Sequence, residues 1–179
     1  MRKKIAIMGR GTAGVLSAAH FSRWAPNCEL ELYFDSNIKP QPVGEGAQTN
    51  FSLSLKNNLC FMHDDLHKID GSFKIGVKKI GWGKGKTFTH YFEPPWVSYH
   101  FNASALQNYV VDEIKDRVKI FDKNVSHDDI DADYIMDCSG SPDSYDDFHM
   151  SEFIPVNSVH VTQCYWDYPK FDYTLAIAR

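Results

Sequence analysis

Lys3-Lys4-Ile5-Ala6-Ile7-Met8-Gly9-Arg10-Gly11-Thr12-Ala13-Gly14 opens the chain and decides its fold class. A short apolar run feeds straight into Gly-x-Gly-x-x-Gly. An apolar, helix-compatible stretch follows at 15–21, and a second apolar run, 30–34, is closed by Asp35. Strand, glycine turn, helix, strand and acid, in that order, is the layout a dinucleotide needs. Gly9 lets the chain turn sharply out of the strand. Gly11 has no Cβ, so backbone can come close to a pyrophosphate, and Gly14 lets the helix pack on the strand. Thr12 and Ala13 lie between the glycines and are expected to contact the cofactor, and the helix that follows offers unpaired N–H groups and a positive dipole end to phosphates. Asp35 follows the last glycine by about 20 residues, where a carboxylate can hydrogen-bond a ribose hydroxyl. A carboxylate at this point favours an unphosphorylated ribose, as in FAD or NAD, over NADP. The triplet alone would read as a surface turn; the flanking elements raise it to nucleotide binding.

At 179 residues the chain is read as one domain with a core of ordinary size, 43% apolar and 23% charged. A net charge of −4 speaks against non-specific nucleic-acid binding. No apolar run approaches the ~20 residues of a membrane span, and the N-terminus reads as a strand rather than a signal peptide. Cys28, Cys60, Cys138 and Cys164 are scattered without a C-x-x-C. That pattern fits reduced thiols and a cytoplasmic setting. Aromatic residues make up 14% of the chain, with Trp82, Tyr91, Phe92, Trp96, Tyr99, Phe101, Tyr165 and Trp166 gathered in its middle and end. Composition reads these as an aromatic-rich core before it reads them as a flat pocket.

Residues 37–50 are rich in Pro and Gly and are expected to be loop. A helix is expected from Phe51. The run 73–80 alternates with the period of a half-buried strand, Phe73, Ile75 and Val77 on one face and Lys74, Gly76 and Lys78 on the other. Residues 81–86 then turn, and 87–92 return as a strand. A helix is expected over 102–116, a short strand at 118–121, a second at 134–140 that ends in a turn, and polar loop at 142–150. The second of those strands is expected to be buried. The apolar run 173–178 ends without a cap or turn. An open strand of this kind implies a chain cut short, or a partner such as a second copy covering that end.

Further segments narrow the reading. Val43-Gly44-Glu45-Gly46-Ala47 follows the second strand, Phe73-Lys74-x-Gly76-x-x-x-x-Gly81-Trp82 comes later, Tyr99-His100-Phe101 precedes the helix, and Asp137-Cys138-Ser139-Gly140 ends a late strand. In this order behind the glycine triplet they resemble the flavin-dependent tryptophan halogenase family, within the FAD-dependent monooxygenase-like flavoproteins. The resemblance implies an α/β, Rossmann-like FAD/NAD(P)-binding fold with an inserted β-hairpin or small sheet, C-terminally incomplete. Residues 1–179 would then be a single FAD-binding domain. It also implies an activity. Reduced FAD from a separate flavin reductase, with oxygen and chloride or bromide, yields hypohalous acid. A lysine delivers the halogen to an electron-rich aromatic such as tryptophan or another indole. By its place in the motif that lysine is Lys74. The loop Gly44, Glu45, Gly46, Ala47 would lie against the flavin ring, and Asp137 and Gly140 near the ribityl-pyrophosphate. The family's Trp-x-Trp-x-x-Ile-Pro motif and the glutamate that partners its lysine are not found in this sequence.

On spacing alone Lys74 reads as a solvated strand lysine like Lys78 or Lys79, and Glu45 as an exposed loop acid. His63 and His67 stand at i and i+4 but lack a third ligand, so a solvated face is the expectation. The aspartates 128, 129, 131 and 133 lack the glycine and glutamate of a calcium loop. Two other readings stay open: another FAD- or NAD-dependent hydroxylase or dehydrogenase, and a nucleotide-binding module without catalysis.

Overall fold

The opening apolar run becomes β1 (Lys4–Met8), the glycine turn leads into α1 (Thr12–Trp24), and the second run is β2 (Glu29–Phe34). The structure, a computed structural model, describes residues 2–38, 45–140 and the backbone of 173–177. Gly44, Cys164, Tyr165, Trp166 and the loop expected at 142–150 lie outside the described residues. After β2 come α2 (Thr49–Leu59), a 3-10 helix (His63–Ile69), β3 (Ser72–Lys74), β4 (Gly76–Gly81), the single turn α3 (Trp82–Gly85) and β5 (Lys86–Tyr91). Then follow β6 (Ser98–His100), α4 (Ala103–Ile114), β7 (Lys119–Asp122), a 3-10 turn (His127–Asp129), β8 (Tyr134–Asp137) and β9 (Tyr173–Ile177).

β7, β2, β1 and β8 form a parallel sheet in that order. Its two faces follow from the two-residue period of a strand. Ile5, Ile7, Leu30 and Leu32 join Val15, Ala18 and Ala19 of α1 and Leu106, Val110 and Ile114 of α4 in the larger core. Ala6, Met8 and Tyr33 face a smaller cluster with Ile130. On that side Tyr33 stacks on Phe121 and donates to Glu31. The chain steps outward from β1 to β2 on one side and returns to place β8 on the other. The gap between the carboxyl ends of β1 and β8 is therefore a topological switch point, where parallel sheets take their ligands.

Two sequence expectations change here. The run 73–80 is not one strand. It breaks at Ile75, so that β3 pairs with β6 and β4 pairs with β5 and β9 in a separate three-stranded sheet. Its alternation holds, but the buried face is the other one: Lys74 is 4% exposed and Phe73 42%. β8 is not a buried strand either. It lies at the rim of its sheet among the described strands, and Tyr134 and Met136 are exposed. The open run at the end of the chain forms β9, which finds its partner in β4.

Candidate functional site

The site is assembled at two places, the glycine turn and the surroundings of Lys74. Gly9 leaves β1 with φ +99°, and its N–H donates to Tyr33 O at 2.8 Å. A Cβ on Gly9 would sit 2.4 Å from Cys138 O, and one on Gly14 would sit 1.9 Å from Gly9 O. Both positions are closed to any side chain. Gly11 is the opposite case: among the described residues nothing lies within 4 Å of where its Cβ would be. Gly11 is also the N-cap of α1, no side chain caps that terminus, and its first turn holds no acid. Thr12 is half-buried and Ala13 exposed on that turn. The helix end is thus positive, bare and open, which is what a phosphate group requires.

β8 brings its own end to the same turn, with Cys138 N donating to Met8 O at 2.8 Å. Asp137 Oδ1 accepts from Ser139 N at 2.9 Å and Ser139 Oγ at 2.6 Å, and Oδ2 faces His127 Nε2 at 3.1 Å. The Ser139 bonds, with His127 beside them, hold the Asp137 carboxyl below the ordinary aspartate value. Gly140 follows with φ +115°, and no described residue lies within 4 Å of where its Cβ would be. Asp35 stands half-buried just past β2, its Oδ1 accepting from Asn37 N and Nδ2 at 2.8 Å each. Gly9, Gly11, Thr12, Ala13, Gly14, Asp35, Asp137 and Gly140 therefore meet on one rim of the parallel sheet.

Lys74 is the centre of the second place. Its Nζ donates to Gly46 O at 2.9 Å and Ala47 O at 2.8 Å, and lies 5.7 Å from the centre of the Phe92 ring. Burial pushes its pKa down. The carbonyls it grips belong to a segment laid along β6. Ala47 N donates to Tyr99 O, Phe101 N to Glu45 O, and Ser98 Oγ to Gln48 O at 2.7 Å. Glu45 is no ordinary loop acid. Its Oε1 accepts from Ala103 N at 2.6 Å and so caps α4, alongside Asn102, which accepts from Ala105 N. Lys74, Glu45, Gly46 and Ala47 are brought together by β3 and β6, although 27 residues separate Ala47 from the lysine.

Phe92 was not singled out in sequence as a neighbour of Lys74; its signals were its membership of the aromatic cluster and its place at the end of a strand. The aromatic residues split: Tyr99 and Phe101 are core, while Trp82, Tyr91 and Trp96 are exposed. His63 packs edge-on to Phe73 and Tyr99, and His67 Nδ1 is bonded to Asp64 O. No cluster of metal-ligating residues occurs among the described residues. None of the described helices is long and apolar enough to cross a membrane. A groove of about 480 Å³ lies between 28–30 and 115–120, at the amino ends of β2 and β7, on the rim opposite the glycine turn.

The tryptophan halogenase family model matches residues 4–113. Among solved structures, a tryptophan 6-halogenase from Streptomyces toxytricini superposes with a TM-score of 0.68 at 18% identity, over 77% of this chain and 44% of that one. A flavin-dependent halogenase from Xanthomonas campestris gives 0.67 at 15% identity, over 78% and 42%. A tryptophan halogenase from Shewanella frigidimarina gives 0.65 at 16%, over 77% and 42%. At these identities the structures speak for the fold. No curated protein matches the chain. The chain thus spans less than half the length of these solved halogenases, and by its match over residues 4–113 it belongs to the tryptophan halogenase family.

Proposed function

We propose that this chain carries the FAD-binding and halogen-delivering part of a flavin-dependent halogenase acting on an indole or similar electron-rich aromatic. The observation that carries this reading is the seat of Lys74, a buried lysine whose ammonium is bonded to the carbonyls of Gly46 and Ala47. The residues of the glycine turn fit the cofactor, because Gly11 leaves an open cradle at an uncapped helix end. In this reading Gly9, Gly11, Thr12, Ala13 and Gly14 hold the diphosphate through backbone N–H groups, and Asp35 takes a ribose hydroxyl. Asp137 and Gly140 border the same crevice, while Gly44, Glu45, Gly46 and Ala47 flank the ring. When bound in its reduced form, FAD supplies the reducing equivalents with which oxygen converts halide to hypohalous acid, and a separate reductase renews it.

Lys74 then acts on the halogen. As an ammonium it donates a hydrogen bond that polarises hypohalous acid; as an amine it offers a lone pair to the halogen. Burial disfavours the charged form and draws the two forms closer in energy, while the two carbonyl acceptors hold the ammonium in place, which suits a group that must give and regain a proton. Glu45 keeps the loop in register by capping α4, so the carbonyls that orient Lys74 do not drift.

The test is a titration with FAD followed by product analysis with tryptophan or indole, reduced FAD, oxygen and bromide. Lys74→Ala is expected to retain FAD and lose halogenated product. Halogenation that survives the substitution removes Lys74 from the mechanism. Hydroxylated or dehydrogenated product without halide dependence assigns the chain to another flavoprotein chemistry, and failure to retain FAD leaves a module without the cofactor.

A further inference from the structure

We propose that Arg10 belongs to the cofactor site, where its guanidinium donates to phosphate or ribose oxygens of a bound adenosine diphosphate moiety; this rests on the FAD reading above. Arg10 lies between Gly9 and Gly11, on the turn itself. Its side chain is held, not free. The guanidinium carbon lies 5.0 Å from the centre of the Phe34 ring, at the end of β2. One terminal nitrogen donates to Asn108 Oδ1 on α4 at 2.6 Å. A ring beneath and an amide at one edge fix the plane of the fork between three separate elements.

Nε of Arg10 is buried and has no hydrogen-bond partner among the described residues. Buried donors are nearly always paired, and leaving one unpaired on a charged group is costly. A guanidinium has five N–H donors, of which Asn108 takes one. Two carboxylates share that rim: Asp35 accepts from the backbone N–H of Asn37 and Asp122 from that of Ser36. With the Ser36 bond, the charge of Arg10 helps hold the Asp122 carboxyl below its ordinary value, without a direct hydrogen bond between them among the described residues. The geometry therefore presents, beside an uncapped helix N-terminus, a fixed planar cation whose terminal nitrogens carry further N–H donors beyond the one that Asn108 takes, Nε itself being turned inward. That is the arrangement which takes phosphate oxygens in pairs. FAD carries an adenosine diphosphate half; FMN does not.

The experiment titrates the 179-residue chain with FAD, ADP and FMN at two ionic strengths. Wild type is compared with Arg10→Gln, Arg10→Lys and Asn108→Ala, and thermal melts check folding. Arg10→Gln is expected to weaken FAD and ADP about 10- to 100-fold, the worth of a charge-assisted bond, with FMN unchanged and the salt dependence of FAD binding reduced. Arg10→Lys restores the salt dependence without the full affinity. Asn108→Ala, which frees the fork but leaves the turn intact, weakens ADP several-fold and keeps the proposal testable if Arg10→Gln fails to fold. Equal FAD affinity in wild type, Arg10→Gln and Asn108→Ala overturns the role of Arg10 while the FAD reading stands. A parallel loss for FMN also overturns it. A folded wild type that takes neither FAD nor ADP overturns the FAD reading, and the role of Arg10 falls with it.

Discussion

At the glycine turn, placement is achieved by backbone against backbone, and side chains keep away; around Lys74, side chains reach across long stretches of sequence and fill the space. Gly9 and Gly14 sit against carbonyls at distances no Cβ could tolerate, while Gly11 faces open space. Lys74 instead spends its ammonium on two carbonyls of a distant loop, and Glu45 of that loop spends its carboxylate on α4. An open, rigid cradle suits a ligand that arrives with its own charge. A filled, cross-linked seat suits a reactive side chain that has to be held still. The two places therefore fail differently when disturbed.

The largest effect is expected at Gly14. Gly14→Val puts a Cβ 1.9 Å from a backbone oxygen, and backbone has little room to yield. A loss of about 3 kcal/mol or more is expected, enough to unfold a marginal domain; a denaturant midpoint unchanged from wild type would show that the turn is looser than described. Next comes Lys74→Ala, which strips two part-buried carbonyls of their donor and costs about 1–3 kcal/mol. Lys74→Met keeps the apolar stem and separates packing from bonding, so the two variants should melt at different temperatures.

Lys74 also has a pH signature. Its folded pKa lies below the unfolded 10.5 because burial disfavours the charge. Between the two values the unfolded chain binds more protons, so this group's contribution to stability rises with pH across that window and is flat below it. Lys74→Met should flatten the rise; an identical alkaline stability profile in the variant would mean that the lysine is solvated. Asp137 has the same sign, in the acid range. Its carboxyl is held below 3.8 by Ser139 and His127, so its contribution is present above that value and is lost as pH falls through the folded pKa. Because this group is partly exposed, the effect in Asp137→Asn is expected to be small.

Glu45→Ala removes a helix cap and should cost about 1 kcal/mol, with α4 and the Lys74 seat loosening together in amide exchange. Protection that drops at α4 alone would uncouple them. The smallest effect on stability belongs to Gly11→Ala, within about 0.5 kcal/mol, since its Cβ meets nothing. If Gly11 lines a cofactor cradle, this variant loses FAD affinity while its melting temperature stays put. That split between binding and stability is what Gly14 cannot show.

How far the sequence could be read follows from these contrasts. The alternation at 73–80 was legible, but its sign was not. Apolar residues are assumed to face inward, whereas β6 and the Glu45–Ala47 segment cover the lysine side and leave Phe73 at the surface. β8 looked like a core strand because it is apolar, yet it ends at the rim of the sheet. Glu45 was visible as part of a motif and not as a cap, because α4 starts 58 residues from it.

The amino-acid sequence by itself determined the β-α-β unit, its sharp turn and its bare helix end. Glycine sterics and the two-residue and 3.6-residue periods act between near neighbours and need no partner from afar. Tertiary structure alone decided which face of β3 is buried, what Lys74 holds, where Glu45 spends its charge and how Arg10 is seated. Each of those depends on which distant segment packs alongside, and burial and hydrogen bonding are properties of the assembled neighbours rather than of the residue.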